Sequence, residues 1–346
     1  MLLKVHVFGR KACSSLFRCQ RSSVTCVGKG TSLTQWLMCR DFHITCQRCT
    51  IMPSWVIDRY GKNDVLRFTN NMMFPVIHFP NEVIIKVHAA SLNPIDVNMR
   101  SGYGASALRM KRDPLHIKSS GSEFPLTLGR DVSGIVMECG LDVSYFKPGE
   151  EVWAAIPPWK QGTLSEFVAA SANEISRKPQ SLSHTEAASL PYVGLTAWSA
   201  MRQVGGLKED NCSNKRFDFI LDNIGGSTEE WAPELLKKWS GATYISLVTP
   251  FLVNVDRLGV ADGMLQTGVT IGRKAVKHLC KGIHYRWAFF TPSGPYLDEI
   301  ATLVDAGKIH PVIDQVFSFA EVPKAFQKVE EGHARGKTVI NVTNKK

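Results

Sequence analysis

The run Phe217-Asp218-Phe219-Ile220-Leu221-Asp222-Asn223-Ile224-Gly225-Gly226 reads as a β-strand entering a Gly-Gly turn, and what precedes it constrains the chain more than any other feature. Phe217, Phe219 and Leu221 share one face at the strand period of two. Asp222-Asn223 closes the carboxyl end, where open α/β sheets hold their ligands. Immediately upstream, residues 208 to 216 form a polar loop, KEDNCSNKR, with no strand-glycine-helix unit. The whole sequence contains no G-x-G-x-x-G and no related A-x-x-G-x-G. A candidate ligand-end strand is therefore present with no phosphate-binding turn in the loop before it.

At 346 residues, with 44% hydrophobic and 21% charged, the chain is long enough for two domains. No stretch reaches the roughly 18 uninterrupted apolar residues that a membrane-spanning helix needs. The net charge of +10 raises the question of nucleic acid, and its location answers it. Residues 1 to 52 carry eight Lys and Arg against Asp41 alone, so the body is nearly neutral and has no basic nucleic-acid footprint. The same segment is Arg-rich, poor in acids and supplied with Ser and Thr, the composition of a mitochondrial transit peptide; a disordered basic tail is the alternative. Of nine cysteines, only Cys139, Cys212 and Cys280 lie beyond it. Cys46-Gln47-Arg48-Cys49 lacks the second ligand pair of a zinc site and the βαβ context of a redox site, and no disulfide framework is implied.

Along the body, Trp55-Val56-Ile57-Asp58 and Val65-Leu66-Arg67-Phe68 flank Gly61-Lys62-Asn63-Asp64, a hairpin pattern. A stronger strand over residues 82 to 90 leads to the Asn93-Pro94 turn and a short helix from Asp96 to Arg100. Further strands with Gly and Pro turns predict a β-rich domain of barrel type. Ser183-His184-Thr185-Glu186 is a capping box opening a helical region, and a second helix spans residues 194 to 200. After the polar loop come a strand at 217 to 223, an amphipathic helix at 228 to 239 and a second strand at 242 to 248. This order predicts a parallel pair by the crossover rule. Arg286-Trp287-Ala288-Phe289-Phe290 reads as a third strand and residues 297 to 306 as a helix.

The motifs VHAASLNPID at 87 to 96, Gly129-Arg130-Asp131-Val132-Ser133-Gly134, GTLSEFV at 162 to 168 and AASLPYVGLTAWSA at 187 to 200, with the C-terminal runs 297 to 326 and 332 to 342, follow one another in a familiar order. The body resembles the medium-chain dehydrogenase/reductase superfamily, in its zinc-free quinone-oxidoreductase-like branch. That resemblance implies an α/β protein with a GroES-like β-rich catalytic domain, residues 53–182 completed by 291–346. Between them would lie a truncated Rossmann-like cofactor domain, 183–290, holding strands 4 to 6 of the usual six. It implies mitochondrial, NADPH-dependent reduction of a quinone or enone. Zinc branches place a Cys after the strand end, a Gly-His-Glu and a four-Cys lobe where this chain has Asn93-Pro94, Gly129-Arg130-Asp131 and no cysteine cluster, so no metal is expected.

Without zinc, hydrogen bonds must neutralise the developing oxyanion, and a phenol is a suitable donor. Gly102-Tyr103-Gly104 resembles the tyrosine-bearing turn of related enoyl reductases, which makes Tyr103 the candidate proton donor; a surface tyrosine in a Gly loop is its other reading. Asn93 is similar to the family residue beside the nicotinamide, and an Asn before Pro is equally a turn former. Cofactor contacts carried over by resemblance are Asn223, Leu247, Ala288, Phe289, His333, Ala334 and Arg335, with Arg335 and Lys337 offering charge to a phosphate.

The missing part corresponds to strands 1 to 3, on the order of 60 residues at about 30 per βαβ unit. Sequence on both sides of the Arg216–Phe217 junction stays family-like, as after an internal deletion from a skipped exon or a gene-model error. The strand from Phe217 then becomes an edge strand. Three readings follow: an oxidoreductase by descent with impaired cofactor binding, a non-enzymatic protein binding a reticulon-family membrane protein, or an unstable isoform. The resemblance also allows a homodimer. Arg40-Asp41-Phe42-His43-Ile44-Thr45 is similar to the Arg-x-Phe-x-x-Thr pattern of mitochondrial processing sites. The mature protein is accordingly expected to start between Asp41 and Pro53, and N-terminal sequencing of mitochondrial material that began at Met1 would refute this.

Overall fold

A computed structural model describes residues 51–112, 123–206 and 217–343, all within the compact body that runs from Arg48 onward. The transit-peptide expectation, the Cys46/Cys49 pair and the polar loop at 208 to 216 lie outside the described residues, except that the first strand begins inside the expected leader. That strand, β1 (Ile51–Ile57), pairs antiparallel with β2 (Leu66–Met73) as the hairpin pattern predicts. β3 (Glu82–Leu92) ends at Asn93, where Pro94 starts α1 (Pro94–Arg100), since proline's fixed φ and missing N–H suit a first helical position. The Gly102-Tyr103-Gly104 turn separates it from α2 (Ala105–Lys111). β4 (Leu126–Thr127) adds to β1. β5 (Asp131–Cys139), β6 (Glu151–Ala155), β7 (Phe167–Ser171) and β8 (Ile175–Arg177) build the main sheet with β3.

The capping box opens α3 (His184–Ala187): the Glu186 N–H donates to Ser183 Oγ at 3.3 Å, and Ser183 N–H to the Glu186 carboxylate at 2.8 Å. α4 (Pro191–Trp198) follows and continues as a π-helical turn, Ser199–Val204, up to Gly205. β9 (Phe219–Asp222) is shorter than the sequence suggests. The helix expected over 228 to 239 is only α5 (Thr228–Trp231) and a 3-10 turn at Ala232–Leu235, because Pro233 has no N–H with which to extend it. β10 (Thr243–Ser246) pairs in parallel with β9 on one side and with β11 (His284–Trp287) on the other. Between β10 and β11 the chain forms two helices that sequence reading did not identify, α6 (Phe251–Leu258) and α7 (Val260–Leu279).

The C-terminal part, with α8 (Gly294–Asp305), β12 (Ile313–Ser318), α9 (Val322–Glu330) and β13 (Lys337–Asn341), returns to the first sheet. β13 lies antiparallel to β3, with Thr338 opposite Leu92, and the order runs β12-β13-β3-β5-β6-β8 with β7 also on β3. Ile85, Val87, Val132, Val152, Phe326 and Ile340 meet in its core. The second sheet has the order β11-β10-β9 and no described strand beyond β9. Phe217 and Ile224, at the two ends of that edge, are 59% and 76% exposed, an apolar exposure expected of a sheet cut at its middle.

β3 and α3 meet through two imidazoles: the His88 and His184 rings lie 4.4 Å apart, and His184 reaches Ser133 Oγ at 2.8 Å and Glu151 at 3.1 Å. Burial pushes both imidazoles below the usual value of 6.5, helped by Lys86 at His88 and by His88 itself at His184, with Glu151 opposing. With a lowered folded value, the unfolded chain takes up protons first as pH falls. The contribution is complete above 6.5 and declines below it. The thermal midpoint is expected to fall between roughly pH 7.5 and 5.5 more steeply in the unsubstituted chain than in H88Q; equal slopes would contradict the assignment.

Candidate functional site

The C-terminal end of β3, the Gly129-Arg130-Asp131 turn and the start of β13 carry the densest buried polar cluster among the described residues. Its first half is structural. Asp96 accepts from the Asn93 N–H at 2.9 Å with one carboxylate oxygen and from the Gly129 N–H at 2.9 Å with the other. Gly129 has φ +89, and a Cβ there would stand 2.6 Å from Thr163 Oγ1, so glycine alone fits the turn. Arg130 Nε lies 3.5 Å from Asp96, while its other N–H groups donate to the carbonyls of Pro157, Lys160 and Thr127 at 2.8 to 3.2 Å. Burial pushes the Asp96 carboxyl up to about 6, with Arg130 and the Asn93 N–H pulling it back.

The second half centres on Asp131, which is fully buried. One oxygen accepts from Ser91 Oγ at 2.7 Å, Asn93 Nδ2 at 2.8 Å and Lys337 Nζ at 3.1 Å; the other accepts from the Tyr192 N–H at 2.6 Å. Lys337 Nζ also donates to Asn93 Oδ1 at 2.5 Å. The sheet register makes this possible: Ser91 faces Asp131 across β3 and β5, and β13 delivers Lys337 beside the end of β3. The Tyr192 ring stacks on Phe290 at 4.3 Å, so the chain leaving β11 packs directly against this cluster.

The residues expected from sequence fall into separate groups. Asn93 is in the cluster, but both ends of its amide are engaged and it is 1% exposed, so it orients neighbours and presents nothing outward. Tyr103, on the turn after α1, is half-buried beside a 430 Å³ cleft shared with Asn98, Ser101, Val253, Asp256 and Arg257. Asp256 holds this turn by accepting from the Gly104 and Ser106 N–H groups at 2.6 and 3.0 Å. Burial, then Asp256, push the Tyr103 hydroxyl upward, so it is protonated at neutral pH and able to donate. Asn223, Leu247, Ala288 and Phe289 do come together, at the carboxyl ends of the three parallel strands. Leu247 N–H donates to Asp222 O and Ala288 N–H to Ser246 O, and Phe289 sets its ring edge-on to Phe251 at 6.2 Å. His333, Ala334 and Arg335 are exposed in the loop before β13. Lys337 differs from the phosphate role expected of it, because its ammonium turns inward to Asn93 and Asp131.

A nicotinamide dinucleotide needs two things here, strand ends for the nicotinamide half and helix-terminal N–H groups for the pyrophosphate. The strand ends are present. The pyrophosphate cradle is not: the sheet stops at β9 among the described residues, and no Gly-rich fingerprint exists in the sequence. The residues fit one half of the cofactor and not the other. Within the cluster, D96A would strand the Arg130 guanidinium and two amides in the interior. It is expected to cost about 3–5 kcal/mol, read from a denaturant midpoint, and a loss below about 1 kcal/mol would show that Arg130 finds other partners.

Two family models match the chain: the alcohol dehydrogenase GroES-like domain over residues 79–180 and the zinc-binding dehydrogenase over residues 200–340. The NAD(P)H oxidoreductase RTN4IP1, mitochondrial, of Homo sapiens is 59% identical over 402 aligned residues, covering 98% of this chain and 99% of that protein. Reticulon-4-interacting protein 1, mitochondrial, of Caenorhabditis elegans is 31% identical, covering 85% and 96%. Among solved structures, the quinone oxidoreductase from Coxiella burnetii superposes with a TM-score of 0.64 at 26% identity, covering 84% of this chain and 99% of that one. The human alignment is longer than the 346 residues of this chain, so at least 402 − 346 = 56 of its positions have no residue here. By identity over nearly its whole length and by fold, the chain belongs to the medium-chain dehydrogenase/reductase superfamily.

Proposed function

We propose that this chain is a mitochondrial oxidoreductase of the quinone- or enone-reducing, metal-free type whose hold on NADPH is impaired. The observation that carries this reading is the meeting of two sites. Asn223, Leu247, Ala288 and Phe289 gather at the ends of β9, β10 and β11, and through Phe290 and Tyr192 that sheet abuts the buried Asn93–Asp131–Lys337 cluster. Strand ends facing a polar cluster across a domain junction are where α/β oxidoreductases hold cofactor and substrate. On this reading residues 53–182 and 291–346 form the catalytic domain and 183–290 the truncated cofactor domain. Tyr103 is the proton donor, and His333, Ala334 and Arg335 lie near the cofactor.

The close relatives are named NAD(P)H oxidoreductases and mitochondrial, which supports nicotinamide chemistry and the compartment. NADPH over NADH, and a quinone or enone as acceptor, are the finer parts of the proposal. A second reading, binding of a reticulon-family membrane protein, is favoured by the name of the Caenorhabditis elegans relative and needs no phosphate cradle. A homodimer is compatible with both.

Losing several phosphate-directed N–H donors removes charge-assisted bonds of about 1.5–3 kcal/mol each, so affinity is expected to weaken by at least about 10²-fold. Calorimetric titration of the purified chain with NADPH should show no saturable binding at micromolar concentrations. Micromolar binding would overturn the impairment and restore the chain to an ordinary enzyme of its family.

A further inference from the structure

Asp131 draws three donors onto a single oxygen, and one of them, the Lys337 ammonium, brings the opposite charge that makes its bond the charge-assisted one. Ser91 and Asp131 are fully buried and Asn93 nearly so, while the Lys337 side chain keeps 16% of its surface. Of those four residues, Lys337 alone keeps appreciable exposed side-chain surface. An ammonium has three N–H donors. Two are spent on Asn93 Oδ1 and Asp131, and the third has no partner among the described residues. No group of three or more His, Cys, Asp or Glu able to hold a metal occurs among the described residues, although one matching family model is of zinc-binding dehydrogenases.

We propose that Lys337 is the resident cation of this site, covalently supplied by β13, and that its third N–H receives a carbonyl oxygen or oxyanion of the ligand. The class of ligand rests on the oxidoreductase reading; the cation does not. The geometry explains why the chain must return to its first sheet: the buried charge of Asp131 is balanced only once β13 is in place. It also gives Asn93 a defined amide orientation, carbonyl toward Lys337 and NH2 toward Asp131, which no free rotamer would hold. Arg130 does not compete for this role, since its donors are committed to Asp96 and three backbone carbonyls.

The test uses the full chain. K337A removes three methylenes and the ammonium, and its thermal midpoint is expected to fall by roughly 5–10 °C. Millimolar propylammonium, the excised group itself, should recover a good part of that loss, whereas tetramethylammonium, which has no N–H, should not. Should K337A not fold, the K337M/D131N double variant, with both charges gone, should melt well above K337M alone. Binding of 4-nitrophenolate, followed by its absorbance, is expected to be at least tenfold weaker in K337M than in the unsubstituted chain, and K337R should retain most of it. Failure of propylammonium to rescue, or a double variant no better than K337M, overturns the resident cation. Equal 4-nitrophenolate affinity in K337M, or none in the unsubstituted chain, overturns the ligand contact. Neither arm contains NADPH, so these outcomes are separable from the fate of the oxidoreductase reading.

Discussion

Everything at the junction of the two sheets depends on a single buried charge. Asp131 has no exposed surface, and a carboxylate taken out of water costs several kcal/mol unless it is paired and fully hydrogen-bonded. Its four donors come from three separated places in the chain: Ser91 and Asn93 at the end of β3, the Tyr192 N–H in α4 and Lys337 at the start of β13. Meeting that demand brings the C-terminal segment home across more than two hundred residues and fixes β13 beside β3 with Thr338 opposite Leu92. The Asp96–Arg130 half performs the same service one layer further in, tying α1 to the turn before β5.

The other sheet obeys a different constraint. Three parallel strands in the order β11-β10-β9 are enough to gather strand ends, yet they leave β9 an edge and Phe217 and Ile224 in water. Parallel sheets are usually covered on both faces and continued on both sides of their central strands. Among the described residues this sheet ends at β9, and the carboxyl ends of its three strands are in place. Family membership rests on residues spread along the length of the chain, whereas the Gly-rich fingerprint, a matter of a few neighbouring positions, does not occur in its sequence.

Much of the site was legible in the residues. Asn93-Pro94 announced a strand end and a helix start, the S-x-x-E box at Ser183 marked α3, and the bare loop before Phe217 foretold the edge strand. Asp96, Arg130 and Asp131, charged residues inside otherwise apolar runs, were the available signal for a buried network, but nothing in their spacing names their partners. Lys337 is the clearest case. Two residues after Arg335 in a basic turn, it looked like a phosphate ligand, and only the register of β13 on β3 turns it inward. Likewise α7 escaped notice: Gly263, Gly268 and Gly272 interrupt it, each a poor helix former, and its apolar residues Met264, Leu265, Val269 and Val276 are exposed instead of marking a core face.

The sequence alone determined the kind of protein this is and the part it lacks, because local patterning and motif order are properties of neighbouring residues. Strand ends, turns, caps and the missing Gly-rich loop all lie within a few positions of one another. Only the tertiary structure decided which side chains meet. It placed Tyr103 beside Asp256 and Arg257, engaged both ends of the Asn93 amide, and placed Lys337 against Asp131 over 206 positions of chain. Such contacts are set by sheet register and by the cost of an unpaired buried charge, which act between residues far apart in sequence.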